Sequence, residues 1–235
     1  MKKYDIIVIG MGPAGMAVSA MGSAMGLKVL AVEKHKVGGE CLNCGCIPSK
    51  ALLKAGEANY IAKNLRKYGI QATVETIADE PLNVVREKVY GINNKKFMKV
   101  FEKVELLLGK GEAEFVNDRT IKVGNEEYTA KKIFIATGTE PFIPPIQGLK
   151  DVPKLTNVNI FEQQEIPKTL TIIGGGAIGT EMAQAFSRLG SKVVLVQMDS
   201  HLIPAGDEEA GRLLEEAFKK EGIEVYNSTA ISKVE

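Results

Sequence analysis

The sequence has no tryptophan, few aromatic residues and almost no excess of either charge. Aromatics make up 6% of the 235 residues, and the formal net charge is +1 at pH 7. A strongly basic surface with stacking aromatic rings is the usual signature of a nucleic-acid-binding protein, and a basic surface also favours anionic membranes. The composition therefore favours neither partner, and we expect no nucleic acid and no membrane.

Long apolar runs are missing too. The run near the N-terminus, residues 6–9, has only four apolar residues, follows Asp5 and is followed by glycine. A signal peptide needs a longer apolar segment, and a membrane-spanning helix needs roughly 18 or more apolar residues. The sequence therefore predicts a cytoplasmic protein.

Cysteine is scarce, and all three cysteines lie in the stretch GGECLNCGCIPSK, residues 38–50. In a reducing cytosol such a cluster is more often catalytic or metal-binding than structural. Structural zinc usually takes four ligands, but no fourth cysteine exists, and His35 and His201 lie in other loops. We therefore expect no metal. If a helix begins near Cys41, its N-terminal dipole would stabilise a thiolate.

Two segments of the chain share one design. Residues 4–33 and 169–197 each read as an apolar strand, a glycine-rich turn, a helix and a second apolar strand. Each is about 30 residues long, as expected for a βαβ unit that binds a dinucleotide. The sequence therefore predicts an α/β fold with two Rossmann-like nucleotide-binding units.

The glycine turns follow the G-x-G-x-x-G spacing. The first glycine allows a tight turn, the second lets the backbone approach a pyrophosphate, and the third lets helix and strand pack closely. The predicted nucleotide-binding glycines are Gly10, Gly12 and Gly15 in the first loop and Gly174, Gly176 and Gly179 in the second.

The residue that ends the second strand differs between the two units. Glu33 ends it in the first unit, where a carboxylate accepts hydrogen bonds from a ribose 2′-OH. Gln197 stands at the matching place in the second, and glutamine also hydrogen-bonds a hydroxyl. No Arg or Lys occurs in residues 193–204 to meet a 2′-phosphate. The second loop is therefore predicted to prefer NAD to NADP.

The remaining segments give a coarser prediction. We expect a helix after Pro48, short strands at residues 113–117 and 120–124, a strand at 132–138 and a proline-rich linker at 141–148. A helix at 208–221 and a strand at 223–226 would give the second unit three strands at most. Residues 83–108 have apolar positions at helical spacing. These positions are Phe97, Val100, Phe101, Val104, Leu107 and Leu108, with Lys95, Lys96, Lys99 and Lys103 as the expected solvated face.

Taken in order, four features carry a resemblance to a known family. They are the cysteine stretch, the two glycine loops, ATG at residues 136–138 and IGTE at residues 178–181. Together they resemble the FAD-dependent pyridine nucleotide–disulfide oxidoreductases, which include dihydrolipoamide dehydrogenase, glutathione reductase and mercuric reductase. The resemblance runs from residue 1 to 235. It implies FAD and NAD as cofactors, with NADP disfavoured, and a small-molecule or lipoyl-type disulfide as substrate.

The resemblance also implies roles for individual residues. Cys41 would be the interchange thiol that attacks the substrate disulfide, and Cys46 the flavin-side thiol. Lys50 would lie near flavin N5 and pair with Glu181. The other implied FAD contacts are Gly10, Gly12, Gly15, the ribose ligand Glu33, Gly38, Gly39, the backbone of Ala113, Thr137 and Gly138. The implied NAD contacts are Gly174, Gly176, Gly179 and Gln197.

These roles imply one chemical sequence. NADH would give hydride to the flavin on one face, and the flavin would reduce the Cys41–Cys46 disulfide on the other. A cationic Lys50 would stabilise negative charge on the reduced flavin.

Two positions refine the resemblance. Cys44 stands where an apolar residue is common in the family, so it is either a small buried hydrophobe or a third thiol that could trap a wrong disulfide. Ala177 stands where glutathione reductase-like members have a tyrosine lid. A small residue there is more similar to dihydrolipoamide dehydrogenase.

The resemblance implies an N-terminal half. Residues 1–143 would be the FAD-binding domain, 144–164 a linker and 165–235 a truncated NAD-binding domain, so that both nucleotide domains are incomplete. The C-terminal domain, which forms the homodimer and supplies an acid–base His–Glu pair, would be absent. Three hypotheses stay open: a dihydrolipoamide dehydrogenase-like enzyme, an incompetent fragment or subunit that needs a partner chain, and a mercuric reductase, other disulfide or metal reductase, or transhydrogenase relative.

Overall fold

The computed structural model describes residues 2–73, 80–92 and 95–235. In chain order its strands are β1 (Lys2–Ile9), β2 (Val29–Glu33), β3 (Glu105–Leu108), β4 (Ala113–Asn117), β5 (Thr120–Val123), β6 (Glu126–Ile135), β7 (Thr169–Ile173), β8 (Lys192–Val196) and β9 (Glu224–Tyr226). Its α-helices are α1 (Pro13–Ala24), α2 (Gly39–Asn43), α3 (Cys46–Lys63), α4 (Pro81–Ile92), α5 (Lys95–Met98), α6 (Ala177–Arg188) and α7 (Glu208–Lys220).

The chain divides into two compact units. The first comprises Met1–Pro48 and Glu87–Pro141, and the second comprises Ser49–Arg86 and Phe142–Glu235. Each unit contains one of the two predicted βαβ segments. The domain limits predicted from the sequence, 1–143, 144–164 and 165–235, stay a prediction.

The first unit is built on a six-stranded sheet in the order β3-β2-β1-β6-β5-β4. β1, β2, β3 and β6 run parallel, whereas β4, β5 and β6 form an antiparallel meander. All five residues of β2 are buried, as expected for an apolar strand between two parallel neighbours. Along β1, Ile7 and Val8 point to opposite faces of the sheet and belong to separate hydrophobic clusters. α1 packs on the Val8 face.

The second unit has a parallel sheet in the order β7-β8-β9. α6 connects β7 to β8, and its Phe186 is fully buried against Leu195 of β8. Leu52 from α3 and Leu82 from α4 belong to the same core. The described part of the chain thus gives the second sheet three strands, as the sequence predicted, and the predicted α/β class is confirmed.

The helix predicted across residues 83–108 is wrong at its end, where residues 105–108 form strand β3 after the helices α4 and α5. α4 ends at Ile92, and Leu107 and Leu108 lie in β3, where they pair with Val32 and Glu33. A short apolar run such as ELLL fits a buried strand as well as a helix, and the pairing with β2 decides between them. Lys99 and Lys103 are exposed as expected, whereas the side chains of Lys95 and Lys96 lie outside the described residues.

The described residues contain no candidate for a membrane-spanning helix. None of the helices in residues 2–73, 80–92 and 95–235 combines the length and the apolar character that crossing a bilayer requires.

One ion pair in the second unit is largely withdrawn from water. Arg188 at the end of α6 donates from Nε to Glu221 Oε2 at 2.8 Å and from its terminal nitrogen to Oε1 at 2.7 Å. The two side chains are 18% and 11% exposed. The Arg188 guanidinium also lies 4.5 Å from the centre of the Tyr60 ring on α3. This contact joins α3, α6 and the end of α7, and its hydrogen bond to Glu221 raises the pKa of Arg188.

We predict that Arg188→Ala destabilises the chain by about 3 kcal/mol, because it leaves the Glu221 carboxylate without its cation in a mostly buried position. Urea unfolding followed by circular dichroism measures the loss. The exposed pair between Arg212 and Glu208 supplies the control, and Arg212→Ala should have no measurable effect. Equal losses in both variants would contradict the argument.

Candidate functional site

The first glycine loop connects β1 to α1 in the first unit. Gly10 has a φ of +96°, and a Cβ added to it would lie 2.3 Å from the Ala136 carbonyl oxygen. A Cβ on Gly15 would lie 1.8 Å from the Gly10 oxygen. A Cβ on Gly12 would meet only the Gly39 Cα, at 3.7 Å. Gly10 and Gly15 are therefore required by the fold, whereas Gly12 leaves room beside the helix start.

The second glycine loop repeats this geometry between β7 and α6. Gly174 has a φ of +104°, and a Cβ on Gly179 would lie 2.0 Å from the Gly174 oxygen. A Cβ on Gly176 would meet no atom within 4 Å. No side chain caps the first turn of α1 or α6. Uncapped backbone N–H groups beside a small open cradle are the groups that bind a pyrophosphate, so both loops fit a dinucleotide.

The strand-end residues hold these loops in place. Glu33 is buried, and its Oε2 accepts a hydrogen bond from the Met11 N–H at 2.8 Å while Oε1 accepts from the His35 N–H at 2.8 Å. Gln197 is buried too, and its Oε1 accepts from the Gly175 N–H at 3.0 Å. Sequence analysis predicted both as nucleotide ligands but missed this buttressing role. The only sequence signal for this role is that Glu33 and Gln197 follow their glycine loops by the same number of positions.

The cysteine segment is attached to the first loop through its backbone. The Gly38 N–H donates to the Met11 oxygen at 2.7 Å. A Cβ on Gly39 would lie 2.6 Å from the Gly12 Cα. The predicted cofactor contacts Gly38 and Gly39 therefore let α2 begin directly beside the first loop.

The helix expected after Pro48 is confirmed as α3, which begins at Cys46. Cys41 lies instead in the separate short helix α2, which ends at Asn43. Pro48 lies in the first turn of α3, where the backbone N–H has no intrahelical partner, so proline is tolerated there. A Cβ on Gly45 would lie 2.9 Å from the Glu40 oxygen and 3.3 Å from the Cys41 Cα. Glycine thus allows the chain to fold back closely over Cys41.

This close return brings Cys41 and Cys46 together. No disulfide bond joins any of the three cysteines in the described part of the chain. The pKa of Cys41 is raised, first by its side-chain hydrogen bond to Cys46 and then by burial. A hydrogen bond that raises a pKa favours the protonated form, so contact with Cys46 favours the Cys41 thiol over its thiolate. This direction is opposite to the lowered pKa that a helix dipole alone would give Cys41.

Cys44 lies between these two residues in sequence. It follows α2 as the C-cap residue, where its N–H donates to the Glu40 oxygen at 2.9 Å, and it is half-buried. In the part of the chain that the structure describes, no three His, Cys, Asp or Glu residues are grouped to hold a metal ion.

Lys50 and Glu181 meet within the second unit. Lys50 Nζ lies 2.5 Å from Glu181 Oε1, and the two side chains are 62% and 33% exposed. Lys50 is on α3 and Glu181 is on α6, so the pair implied by the family resemblance is brought together across 131 positions of sequence. Lys50 also follows Cys46 by four residues on α3, which places both on one side of that helix.

The other predicted cofactor residues belong to the first unit. Ala113 begins β4 and packs partly buried against the core. Thr137 and Gly138 follow β6 and are exposed. The site of a Gly10 Cβ would be 3.2 Å from the Thr137 Cα, so Thr137 lies directly beside the first glycine loop.

The pyridine nucleotide-disulphide oxidoreductase family matches residues 4–235. The chain belongs to this family. Mercuric reductase of Bacillus cereus is 37% identical over 235 residues, which make up 99% of this chain and 37% of that protein. Dihydrolipoyl dehydrogenase of Thermus scotoductus is 42% identical in an alignment of 236 positions that covers 97% of this chain and 50% of that protein.

A solved structure agrees with this membership in the pyridine nucleotide-disulphide oxidoreductase family. The Cu(II) complex of the HOCl-induced flavoprotein disulfide reductase RclA from Escherichia coli has a TM-score of 0.85 and 27% identity. The match covers 100% of this chain and 51% of that one. The chain thus spans between 37% and 51% of the length of these relatives. The family predicted from the sequence is confirmed, and membership implies a flavin and a pyridine nucleotide.

We predict opposite effects for two glycine substitutions in the second loop. Gly176→Ala should change the free energy of unfolding by no more than about 1 kcal/mol, because its φ of −73° suits any residue and nothing contacts its Cβ site. It should weaken NADH binding by about tenfold or more, because the methyl group fills the pyrophosphate cradle.

Gly179→Ala should instead destabilise the fold by about 1–3 kcal/mol through its clash with the Gly174 oxygen. Thermal unfolding and the quenching or enhancement of NADH fluorescence measure the two effects. Unchanged NADH binding by Gly176→Ala would show that the loop is no cradle.

We also predict that Cys46→Ala lowers the pKa of Cys41, because it removes the contact that favours the Cys41 thiol. The thiolate is the form that reacts with iodoacetamide, so the pH midpoint of Cys41 alkylation should move to lower pH in the reduced chain. Peptide mass spectrometry follows Cys41 alone. Cys44→Ala is the control and should leave the midpoint in place, and an unmoved or higher midpoint in Cys46→Ala would contradict the assignment.

Proposed function

We propose that the chain is the nucleotide- and disulfide-bearing part of a dihydrolipoamide dehydrogenase-like enzyme, which passes electrons between NAD(H), FAD and a Cys41–Cys46 disulfide. The observation that carries this proposal is the contact between the Cys41 and Cys46 thiols on a segment attached to the first glycine loop. A cysteine pair in contact beside a dinucleotide cradle has the parts that a disulfide oxidoreductase needs.

The first loop fits FAD. Gly12 leaves the pyrophosphate cradle open at the start of α1, and Glu33 keeps acceptor capacity for a ribose hydroxyl, because a carboxylate accepts about four hydrogen bonds and two are used here. Ala113, Thr137, Gly138, Gly38 and Gly39 are the further residues assigned to this cofactor. Bound FAD would supply a two-electron carrier between a nicotinamide and a disulfide.

The thiol pair performs the exchange with substrate. Cys41, as a thiolate, attacks one sulfur of the substrate disulfide and forms a mixed disulfide, and the leaving sulfur takes a proton. Cys46 then attacks the Cys41 sulfur, closes the Cys41–Cys46 bond and releases the second substrate thiol. The pair loses two electrons and two protons, and the substrate gains them. The close fold of the chain at Gly45 keeps Cys46 within reach of Cys41.

Lys50 provides the positive charge of the proposed site. Glu181 holds its Nζ at 2.5 Å, which fixes the ammonium on one side of α3. We assign this cation to the stabilisation of negative charge on reduced cofactor, as the family resemblance implies. The second glycine loop, with Gly174, Gly176 and Gly179, is assigned to NAD(H). A cytoplasmic setting and a homodimeric parent protein belong to the same proposal.

The lipoyl-type disulfide is the substrate we favour. The Thermus scotoductus relative is a dihydrolipoyl dehydrogenase at 42% identity, and the exposed Ala177 at the start of α6 places no bulky side chain over the second loop. Mercuric ion is the second candidate, because the Bacillus cereus relative is a mercuric reductase and thiols in contact bind soft metal ions.

The proposal predicts that mild oxidation joins Cys41 to Cys46 and leaves Cys44 as a reactive thiol. Thiol titration of the oxidised chain, before and after reduction with dithiothreitol, counts the thiols that oxidation consumes. Peptide mass spectrometry then locates the disulfide bond. Cys44→Ser is the matched control and should form the same disulfide, whereas Cys46→Ser should not. A disulfide between Cys44 and either neighbour as the main product would overturn the assignment.

Activity then separates the substrates. After addition of FAD, NADH oxidation is followed with lipoamide or with Hg(II), each against Cys41→Ser. Lipoamide-dependent oxidation supports the favoured substrate, and oxidation with Hg(II) alone supports the second. Disulfide formation without turnover of either substrate would contradict activity of the isolated chain and identify it as a subunit or fragment that needs a partner.

A further inference from the structure

The two glycine loops differ in where their acid lies. In both, the strand-end side chain accepts a hydrogen bond from a loop N–H 22 positions earlier: Glu33 from Met11, and Gln197 from Gly175. The first strand-end residue is a carboxylate and the second is a neutral amide. The shared buttress is therefore kept, while the negative charge at this place is lost from the second loop.

In the second unit a carboxylate lies two positions after the strand-end residue. It is Asp199, whose Oδ2 accepts from Gln197 Nε2 at 2.9 Å. The matching residue of the first unit is His35, whose backbone N–H donates to Glu33. The Gln197 amide has one orientation that satisfies both contacts, because a flip would face nitrogen to the Gly175 N–H and oxygen to the Asp199 carboxylate. Buried Gln197 therefore holds both Gly175 and Asp199.

Asp199 is anchored at the carboxyl edge of the three-stranded sheet. Its backbone oxygen accepts from the Ser228 N–H at 2.9 Å, and the Gln197 oxygen accepts from the Thr229 N–H at 2.9 Å. The residue is nevertheless exposed. A carboxylate fixed by a buried amide and open to solvent lies at the edge of a parallel sheet where dinucleotides bind.

We infer that Asp199, not Gln197, reads the ribose 2′ position of the dinucleotide bound at the second loop. Its carboxylate accepts from a 2′-OH and repels a 2′-phosphate, and no Arg or Lys in residues 193–204 offsets that repulsion. Gln197 acts as a positioning residue. This inference rests on the proposed role of the second loop in binding NAD(H).

The test is direct binding of NADH and NADPH to the purified chain, measured by the fluorescence of each dinucleotide. Titration calorimetry with 5′-AMP and adenosine 2′,5′-bisphosphate isolates the 2′ position. The wild-type chain should prefer NADH and 5′-AMP. Asp199→Asn should reduce that preference by about tenfold, because it removes the charge that repels the 2′-phosphate. Glu165→Gln, an exposed acid that precedes the amino end of β7, is the charge-matched control and should change nothing.

A paired exchange tests the positioning role. Gln197→Glu places a second carboxylate against Asp199 and should weaken binding of both dinucleotides. Gln197→Glu with Asp199→Asn recreates one acid and one amide in contact and should restore NADH binding and its preference. A simple loss of folding would not be rescued by the second substitution.

The outcomes separate the two levels of the argument. If the wild-type chain binds NADH and Asp199→Asn keeps the same preference within twofold, the inference about Asp199 is overturned while the second loop remains a nucleotide site. If the wild-type chain binds neither dinucleotide nor 5′-AMP, the proposed function of the loop and this inference both fail.

Discussion

The close approach of a helix to the turn before it is the constraint on which both proposed nucleotide sites depend. In each βαβ unit the third glycine of the loop lies so near the first that a Cβ would be 1.8 or 2.0 Å from a carbonyl oxygen. Only hydrogen fits, so the helix starts directly over the strand end. That approach sets the uncapped N–H groups of α1 and α6 beside the open second glycine, which is what a pyrophosphate needs. The first loop also contains the Met11 carbonyl oxygen. This oxygen accepts the hydrogen bond from the Gly38 N–H that attaches the cysteine segment.

The cysteine pair depends on a second close approach. Gly45 packs on the Glu40 oxygen and the Cys41 Cα, which ends α2 and lets α3 begin at Cys46. Five positions of continuous helix would separate the two thiols by more than one turn. The break between α2 and α3 removes that separation, and the resulting contact with Cys46 raises the pKa of Cys41. The chemistry of the pair thus follows from a helix that is interrupted, where the sequence suggested one that is intact.

The features that the sequence predicted well are those set by the spacing of residues close together in the chain. The glycine loops, α1, α6 and the strands beside them are set by residues within about 30 positions of one another, so a single pattern predicts them. The segment at residues 104–108 could not be predicted in that way, because its strand is formed by pairing with β2, more than 70 positions earlier. Gly45 and Asp199 were missed for a similar reason. Their roles depend on contacts that exist only after the chain has folded, and neither residue belongs to a recognisable spacing.

The strand-end residue of a βαβ unit can have two roles, holding the glycine loop and binding ribose. Comparing Glu33 with Gln197 shows that one residue need not have both roles. At the first loop one carboxylate holds the loop N–H and, as proposed, also accepts from ribose. At the second loop the amide of Gln197 holds the loop N–H, and Asp199 carries the charge. A buried amide oxygen accepts the hydrogen bond from the loop N–H as a carboxylate does. The loop geometry therefore requires no charge at residue 197. The acid that meets the nucleotide is therefore free to lie two positions further on, provided that a neutral donor such as Gln197 Nε2 holds it there.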